Sequence, residues 1–441
     1  MSIDDRLPHA EQPDAHLPGL YQDGAFWGMT ATQLFGAFND NLFKQLMLLL
    51  AVPVGAAAVS QDDQQWLATV VFSLPFVLFS GYAGFLSDRF SKRTIILLAK
   101  MGELVVMTLG VLAFANYSRT GYTGLLVVLG LMGTQSAFFG PSKYGILPEM
   151  LRGSDLPRAN GLILMTTFLA IIFGTASAGV LGQWLVDETA PLADSAGGLA
   201  RGSAFCIGIA VVGIVTAMWI RRVPPARPDL RFRMSALTMT PETRAVLRND
   251  LPLLAAILAS CTFWLVSGIA IQSINSLGLV QLELGKQWTS LLTAMIGVGI
   301  AVGAVTAGRM CRGRADPRVV RLGVWGIVAF LLILSISLPG GQHLLGFWGS
   351  LAVLMLVGVS AGLFAIPVQV YIQARPPAGQ KGRMIAVMNQ ANFIAITLSG
   401  IIYLALDRWA VAMDWPRSTL FAMIAGLFLP VALFYRLPGD K

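Results

Sequence analysis

Twelve stretches of this chain are apolar for about as long as a helix needs to cross lipid, and nothing else limits the fold as strongly. They are 26–54, 66–86, 94–115, 122–141, 159–186, 202–220, 252–280, 289–309, 319–338, 345–370, 384–405 and 418–435. A helix crosses the hydrocarbon in about 20 residues. In lipid the backbone must satisfy its own polar groups, so runs of this length are expected as helices. A membrane barrel would show short alternating strands, and the sequence shows none. Only 12% of residues are charged, half of the roughly 25% of a soluble domain. The mean hydropathy is +0.69. A soluble enzyme, a disordered chain and a coiled coil are excluded. The expected class is an all-α membrane protein of twelve transmembrane helices.

The net charge is +8, and its placement explains it. Of the Lys and Arg residues between spans, 23 fall on one side, as in Arg89, Lys92 and Arg93, and 5 on the other: Arg119, Arg201, Lys286, Arg408 and Arg417. The positive-inside rule puts the first side, and both termini, in the cytoplasm. The basic excess then contacts anionic lipid headgroups, and no nucleic acid is implied. The longest connection, 221–251, carries seven Arg and four Pro. It splits the chain into a polar tail (1–25), a first bundle (26–220), a linker (221–251), a second bundle (252–436) and a short tail (437–441). Two six-helix halves around a cavity is the arrangement of major facilitator transporters.

Cys206, Cys261 and Cys311 have no disulfide or zinc spacing. His9, His16 and His343 form no ligand pattern, so no metal and no cofactor is expected. The polar N-terminal tail lacks a basic n-region and is not a signal peptide. His9 and Asp14 have the H-x4-D spacing of glycerolipid acyltransferases, but a Pro-rich tail offers no domain around them.

Four segments carry mechanism. After span two, Gly84-Phe-Leu-Ser-Asp88-Arg89-Phe-Ser-Lys92-Arg93 matches the major facilitator signature loop. Gly84 is expected to permit close helix approach. Asp88 is expected to cap the next helix and to latch onto Arg from the other half. The equivalent Gly308-Arg309-Met-Cys-Arg312-Gly-Arg314 keeps cations and lacks the acid. In span one, Gln33, Asn39, Asp40, Asn41 and Lys44 interrupt an apolar run. A mid-span charge is kept for a cavity or a partner, and Gln33, Asp40 and Lys44 share a helical face. Two readings stand: a stripe lining a cavity, or an Asp40–Lys44 pair that only supports packing. Lys100 and Glu103 in span three read as a snorkelling local pair. At the end of span four, Gly140, Pro141 and Gly145 are expected to break the helix and leave Lys143 and Tyr144 at the cavity rim. The matching Pro367, Gln369 and Tyr371 echo that pattern.

These segments together resemble the lysophospholipid transporter family of the major facilitator superfamily. The likeness rests on Gly36-Ala-Phe-Asn-Asp40-Asn-Leu-Phe-Lys44, Gly140-Pro-Ser-Lys143-Tyr144-Gly-Ile-Leu-Pro-Glu149, Ala159-Asn160-Gly161, Phe263-Trp264 and Gly362-Leu-Phe-Ala-Ile-Pro367. It implies movement of lysophospholipid, chiefly lysophosphatidylethanolamine, from the outer to the inner leaflet of a bacterial inner membrane. An acyltransferase would re-acylate it there. The chain stops five residues after Arg436, so that enzyme is expected as a separate protein, and the transporter as a monomer. One departure is the absence of the span-seven Arg found in some members. Phe263-Trp-Leu-Val-Ser267 runs on to Gln272 and Asn275 without a cation, so Lys44 or Lys143 must meet the phosphate.

The expected substrate residues are Gln33, Asn39, Asp40, Asn41, Lys44, Lys143, Tyr144, Phe263, Trp264, Gln272, Gln369 and Asn389. The expected gating residues are Gly84, Asp88, Arg89, Lys92 and Arg93. Asp40 suits an ammonium headgroup and the two Lys a phosphate. Phe35, Phe38, Phe43, Phe138, Phe139, Phe168, Phe263, Trp264 and Phe364 are expected to line a path for an acyl chain. The competing reading is a proton-coupled facilitator of another amphiphile or drug. Span five, Gly174-Thr-Ala-Ser-Ala-Gly179-Val-Leu-Gly182, lacks the Pro usual in antiporters and speaks against it. A membrane-bound acyltransferase lacks an intramembrane His or a supported nucleophile.

Overall fold

The computed structural model describes residues 17–53, 62–186, 192–230, 241–311, 316–376 and 381–437. His9, Asp14, Arg312 and Arg314 lie outside them. Among the described residues twelve helices of 16 residues or more coincide one for one with the apolar runs: α1 Gly24–Ala51, α2 Gln65–Arg89, α3 Lys92–Ala115, α4 Tyr117–Gly145, α5 Leu156–Leu185, α6 Leu192–Met218, α7 Leu251–Ser276, α8 Lys286–Cys311, α9 Pro317–Leu334, α10 Gly346–Ala374, α11 Lys381–Ala412 and α12 Thr419–Phe434. Ten are long and apolar enough to cross a membrane. Of the other two, α12 is a shorter apolar helix of 16 residues, and α1 carries the polar stripe. Among the described residues the nearest thing to a sheet is an isolated bridge between Ser337 and His343.

Helix starts follow local chemistry. Asp23 accepts from the Ala25 amide to open α1 and Asp250 from the Leu253 amide to open α7. Asp316 caps α9 ahead of Pro317, which is tolerated where its missing N–H had no partner to lose. A π-helical turn, Leu277–Gln281, extends α7.

Span four differs from expectation. The helix runs through Gly140 and Pro141 to Gly145, and its one non-helical residue is Gly121, at φ +57°. Proline removes one amide, a loss that membrane helices absorb through their neighbours. Gly145, the last residue of the helix, makes room for a side chain, since a Cβ there would meet Lys92 Cε at 2.7 Å.

The apolar cores segregate by half. One cluster draws its buried members from residues 247–437, with Phe364 against Phe263 and Phe428 at 5.6 Å between ring centroids. Two others draw theirs from residues 20–223. In lipid, close packing drives helices together, and small residues allow it. Gly299 and Gly303 on α8 accordingly face Gly358 and Gly362 on α10. The halves meet along α2–α11, where Phe76 and Phe393 stack at 4.0 Å and Ser73 meets Thr397 at 2.9 Å. They also meet along α5–α8, where Gly182 packs on Lys286. Hydrogen bonds between the halves gather at the end opposite the arginine-rich loops: Gln45 to Asn275, Asn275 to Gln65, and Ser276 and Tyr403 to Asp63.

Candidate functional site

The polar stripe of α1 does not act as one unit. Its residues turn to different partners. Gln33, fully buried, donates to Thr166 and to the Ile163 carbonyl on α5. Asn39 turns to α3 and α6, donating to Glu103 at 2.8 Å and to the Cys206 carbonyl at 3.1 Å. That places it outside the cavity-facing set. Asn41 donates to its own helix at Ala37. Asp40 faces α4, where it accepts from Ser136 at 2.6 Å and Gln135 at 3.4 Å. Lys44 lies over the Phe72 ring, 5.3 Å from its centroid. The Asp40–Lys44 ion pair is therefore not formed, although the two remain electrostatically coupled.

Lys100 and Glu103 are paired at 2.6 Å, as their spacing suggested, but they do not snorkel. They are 2% and 1% exposed. Gly36 makes this possible, since a Cβ there would lie 2.0 Å from Lys100 Nζ. The Gly in the span-one motif thus leaves room for a buried cation from α3, which also sits over Phe139 at 4.8 Å.

Lys143 stands in the last turn of α4 and is 8% exposed. It is buried, not hung at a rim as a broken helix would leave it. Its ammonium lies 4.9 Å from the centroid of Tyr144 and donates to Thr167 at 3.4 Å. Thr167 in turn lies 3.0 Å from Gln33 Oε1, so Gln33 connects to Lys143 through α5. Asp40 and Lys100 are within electrostatic reach of Lys143. Among the described residues no carboxylate lies within ion-pairing distance of it. Asp40 is in turn within electrostatic reach of Glu103, Lys100 and Lys44. A buried ammonium without a counter-ion is costly.

A cavity of about 230 Å³ lies between the halves, lined by Lys44, Thr69 and Phe72 from one side and Trp264, Asn389, Asn392, Phe393 and Ile396 from the other. Trp264 and Asn389 therefore do face the space between the halves. Phe263 is packed in the core of the second half, as is Phe364, and Phe43 is in that of the first. The aromatic walls of the cavity are Phe72, Trp264 and Phe393 instead. Gln272 is fully buried at the closed end, bonded to the Gly268 carbonyl. Gln369 is exposed, and Tyr144 is half exposed. Ser136, Thr167 and Asn392 escaped the sequence reading because a Ser, Thr or Asn within an apolar run carries no sign of which helix face it shares.

In the signature loop, Gly84 has no neighbour within 4 Å of an added Cβ, so it serves no close approach. Ser91, not Asp88, occupies the N-cap of α3. The Asp88 carbonyl accepts from the Arg227 amide at 2.8 Å, and among the described residues no ion pair involves its carboxylate. Arg89 stacks over Phe85 and Phe90. Lys92 pairs with Glu149, and Arg93 donates to the Met218 carbonyl that ends α6. In this conformation the loop ties the first half to itself.

A sequence profile of the Major Facilitator Superfamily matches residues 26–400. The lysophospholipid transporter LplT of Klebsiella pneumoniae is 29% identical over 413 residues, which cover 90% of this chain and 91% of that protein. The protein of the same name from Salmonella enteritidis is 30% identical over 394 residues, covering 85% and 86%. Among solved structures, a POT family transporter in complex with 5-aminolevulinic acid superposes with a TM-score of 0.68 at 12% identity, covering 92% of this chain and 94% of that one. The transporter FucP in its outward conformation gives 0.63 at 14%, covering 93% and 97%. These structural likenesses show the fold.

Proposed function

The chain belongs to the Major Facilitator Superfamily and, within it, to the family of the lysophospholipid transporters, and from that premise we propose that it carries lysophospholipids across a bacterial inner membrane, outer to inner leaflet, by alternating access. The observation that carries the headgroup reading is Lys143, a buried ammonium with no carboxylate partner among the described residues, within electrostatic reach of the hydrogen-bonded carboxylate of Asp40. A zwitterionic headgroup such as phosphoethanolamine has the complementary charges: its phosphate meets Lys143 and its ammonium meets Asp40. The cavity supports a single-chain lipid. At about 230 Å³ it falls short of the ~300–1,000 Å³ of a drug-sized ligand site, and its walls are Phe72, Trp264, Phe393 and Ile396. That suits one chain segment better than the two chains of a diacyl lipid.

In this reading residues 26–220 and 252–436 move as two bundles joined by the 221–251 linker, with both termini in the cytoplasm. The conformation described is held together at the outer end. Asp88 engages a cation of the other half when the cytoplasmic end closes. The transporter works as a monomer, and a separate acyltransferase consumes its product. Uptake of labelled lysophosphatidylethanolamine into spheroplasts tests the proposal, with mass spectrometry of co-purified lipid as a second readout. Uptake that persists after collapse of the proton gradient fits a lipid facilitator. Absence of lysolipid uptake, with proton-driven movement of another amphiphile, would decide for the competing reading.

A further inference from the structure

At the end away from the arginine-rich loops, a charged group is buried that the headgroup reading does not use. Asp63 lies two residues before α2 and is 6% exposed. Its carboxylate accepts from the Gln65 amide at 2.9 Å and from Gln65 Nε2 at 2.9 Å. It also accepts from Ser276 Oγ at 3.0 Å and Tyr403 Oη at 2.7 Å. The first two donors are local. The other two come from the opposite half: Ser276 ends α7, and Tyr403 is fully buried in α11. Among the described residues no Lys or Arg lies within ion-pairing distance of Asp63.

The physics of such a junction differs from that of an apolar seal. A carboxylate taken out of water is costly to bury unless donors replace its hydration. Here four neutral donors do so, and hydrogen bonds to an ionised acceptor are stronger than neutral ones. When the halves part on this side, Ser276 and Tyr403 leave, and water takes their place at Asp63. Desolvation and charge-assisted bonding act in opposite directions at Asp63, so the balance between the closed and the open face depends on how many cross-seam donors it keeps. The neighbouring apolar contact of Leu49 and Val52 with Leu279 has no such compensation and favours closure alone.

We propose that Asp63 is the clasp of this face: gripped by Ser276 and Tyr403 across the seam, it sets how often the outer end opens to admit lipid. The proposal rests on the alternating-access reading above. It makes two substitutions act in opposite directions. Tyr403→Phe leaves the buried carboxylate one cross-seam donor short and favours opening, and Ser276→Ala does the same. Asp63→Leu removes the charge. Ser276 and Tyr403, 2.6 Å apart, then satisfy each other, and an apolar contact holds the face shut.

The test is a distance distribution from pulsed electron paramagnetic resonance on full-length protein in nanodiscs. Spin labels go on Arg119 and Met413, exposed residues at this end on opposite halves. Samples are measured with and without lysophosphatidylethanolamine. Tyr403→Phe is expected to raise the ratio of long to short distances roughly tenfold or more, the effect of losing one hydrogen bond to a charged group. Asp63→Leu is expected to lower that ratio below the parent. Ser276→Ala, which changes one small side chain, repeats the opening result if Tyr403→Phe is poorly folded. Shifts of the same sign in both classes of variant would overturn the clasp, as would no shift while lysolipid still moves the parent. A single unchanging distance in every sample, lysolipid included, would instead remove the alternating-access reading beneath it.

Discussion

Replacing Lys143 by Met separates the role of this residue in binding from its role in the fold, because the two effects have opposite signs. In the structure the ammonium is 8% exposed and has one neutral hydrogen bond, at 3.4 Å, and one aromatic face. The effective penalty for burying an ion is several kcal/mol, and these two contacts offset only part of it. Met fills the same space without that penalty, so the thermal midpoint of Lys143→Met should hold or rise. Binding should move the other way. A hydrogen bond to a charged partner contributes about 1.5–3 kcal/mol, which is roughly a 10- to 150-fold loss of affinity for a phosphate-bearing lysolipid. Monoacylglycerol has the chain but no phosphate, and its affinity should change little. The assay is equilibrium binding of both ligands to purified protein in nanodiscs, beside a thermal melt. Lys143→Arg keeps the charge and should keep much of the affinity unless its planar fork lacks space. Equal losses for the two ligands, or a melt several degrees lower, would show that Lys143 serves only topology and packing.

Four further outcomes are expected. Asp40→Asn should reach the membrane in normal amount yet lose at least tenfold in lysolipid uptake, on the order of one charge-assisted hydrogen bond; normal uptake per copy ends its headgroup role. Lys100→Met strands Glu103 at 1% exposure and should cost about 3–5 kcal/mol, whereas the double variant Lys100→Met, Glu103→Leu should recover most of it; a single variant that melts with the double contradicts a buried pair. Gly303→Val should destabilise by roughly 1–3 kcal/mol through overpacking, because its Cβ meets the Val359 carbonyl at 2.2 Å; an unchanged melt argues against that contact. Asp88→Ala should increase thiol labelling of a cysteine placed at Tyr144 from the cytoplasmic side, by weakening the closed state in which the latch forms; labelling equal to the parent leaves Asp88 without a gating role.

The twelve helices and the 6 + 6 division were legible because lipid imposes a length and a composition that sequence displays directly. Side-chain direction was not legible to the same degree. Asn39, Asp40 and Asn41 are adjacent in sequence, yet they face α3 and α6, α4, and their own helix respectively. A helix turns about 100° per residue, so adjacent polar residues meet different neighbours, and only the three-dimensional arrangement says which one faces a cavity. Proline at position 141 misled for a related reason. Its rule is calibrated on helices in water, where a lost hydrogen bond ends the helix more readily than in a packed bundle. Glycine was legible as a motif letter but not as a mechanism. Gly36 makes room for Lys100, and Gly145 for Lys92, whereas Gly84 in the superfamily signature touches nothing.

The placement of charge answers the missing span-seven arginine. Every Lys and acid of the interior cluster comes from α1, α3 or α4, and the second half contributes an indole, two amides, a phenyl ring and an isoleucine to the shared cavity. Under the proposed function the headgroup contacts fall in the first half, at Asp40 and Lys143. A headgroup held by one half alone does not resist the separation of the two. In that proposal the acyl chain bridges them along Phe72, Trp264 and Phe393, through apolar contacts without a directional bond. Directional cross-seam bonds form elsewhere, at Ser73–Thr397, at Gln45 and Gln65 with Asn275, and at Asp63. On these two proposals, grip on the headgroup and control of the seam fall to different residues, and a substitution at either is expected to alter one without the other.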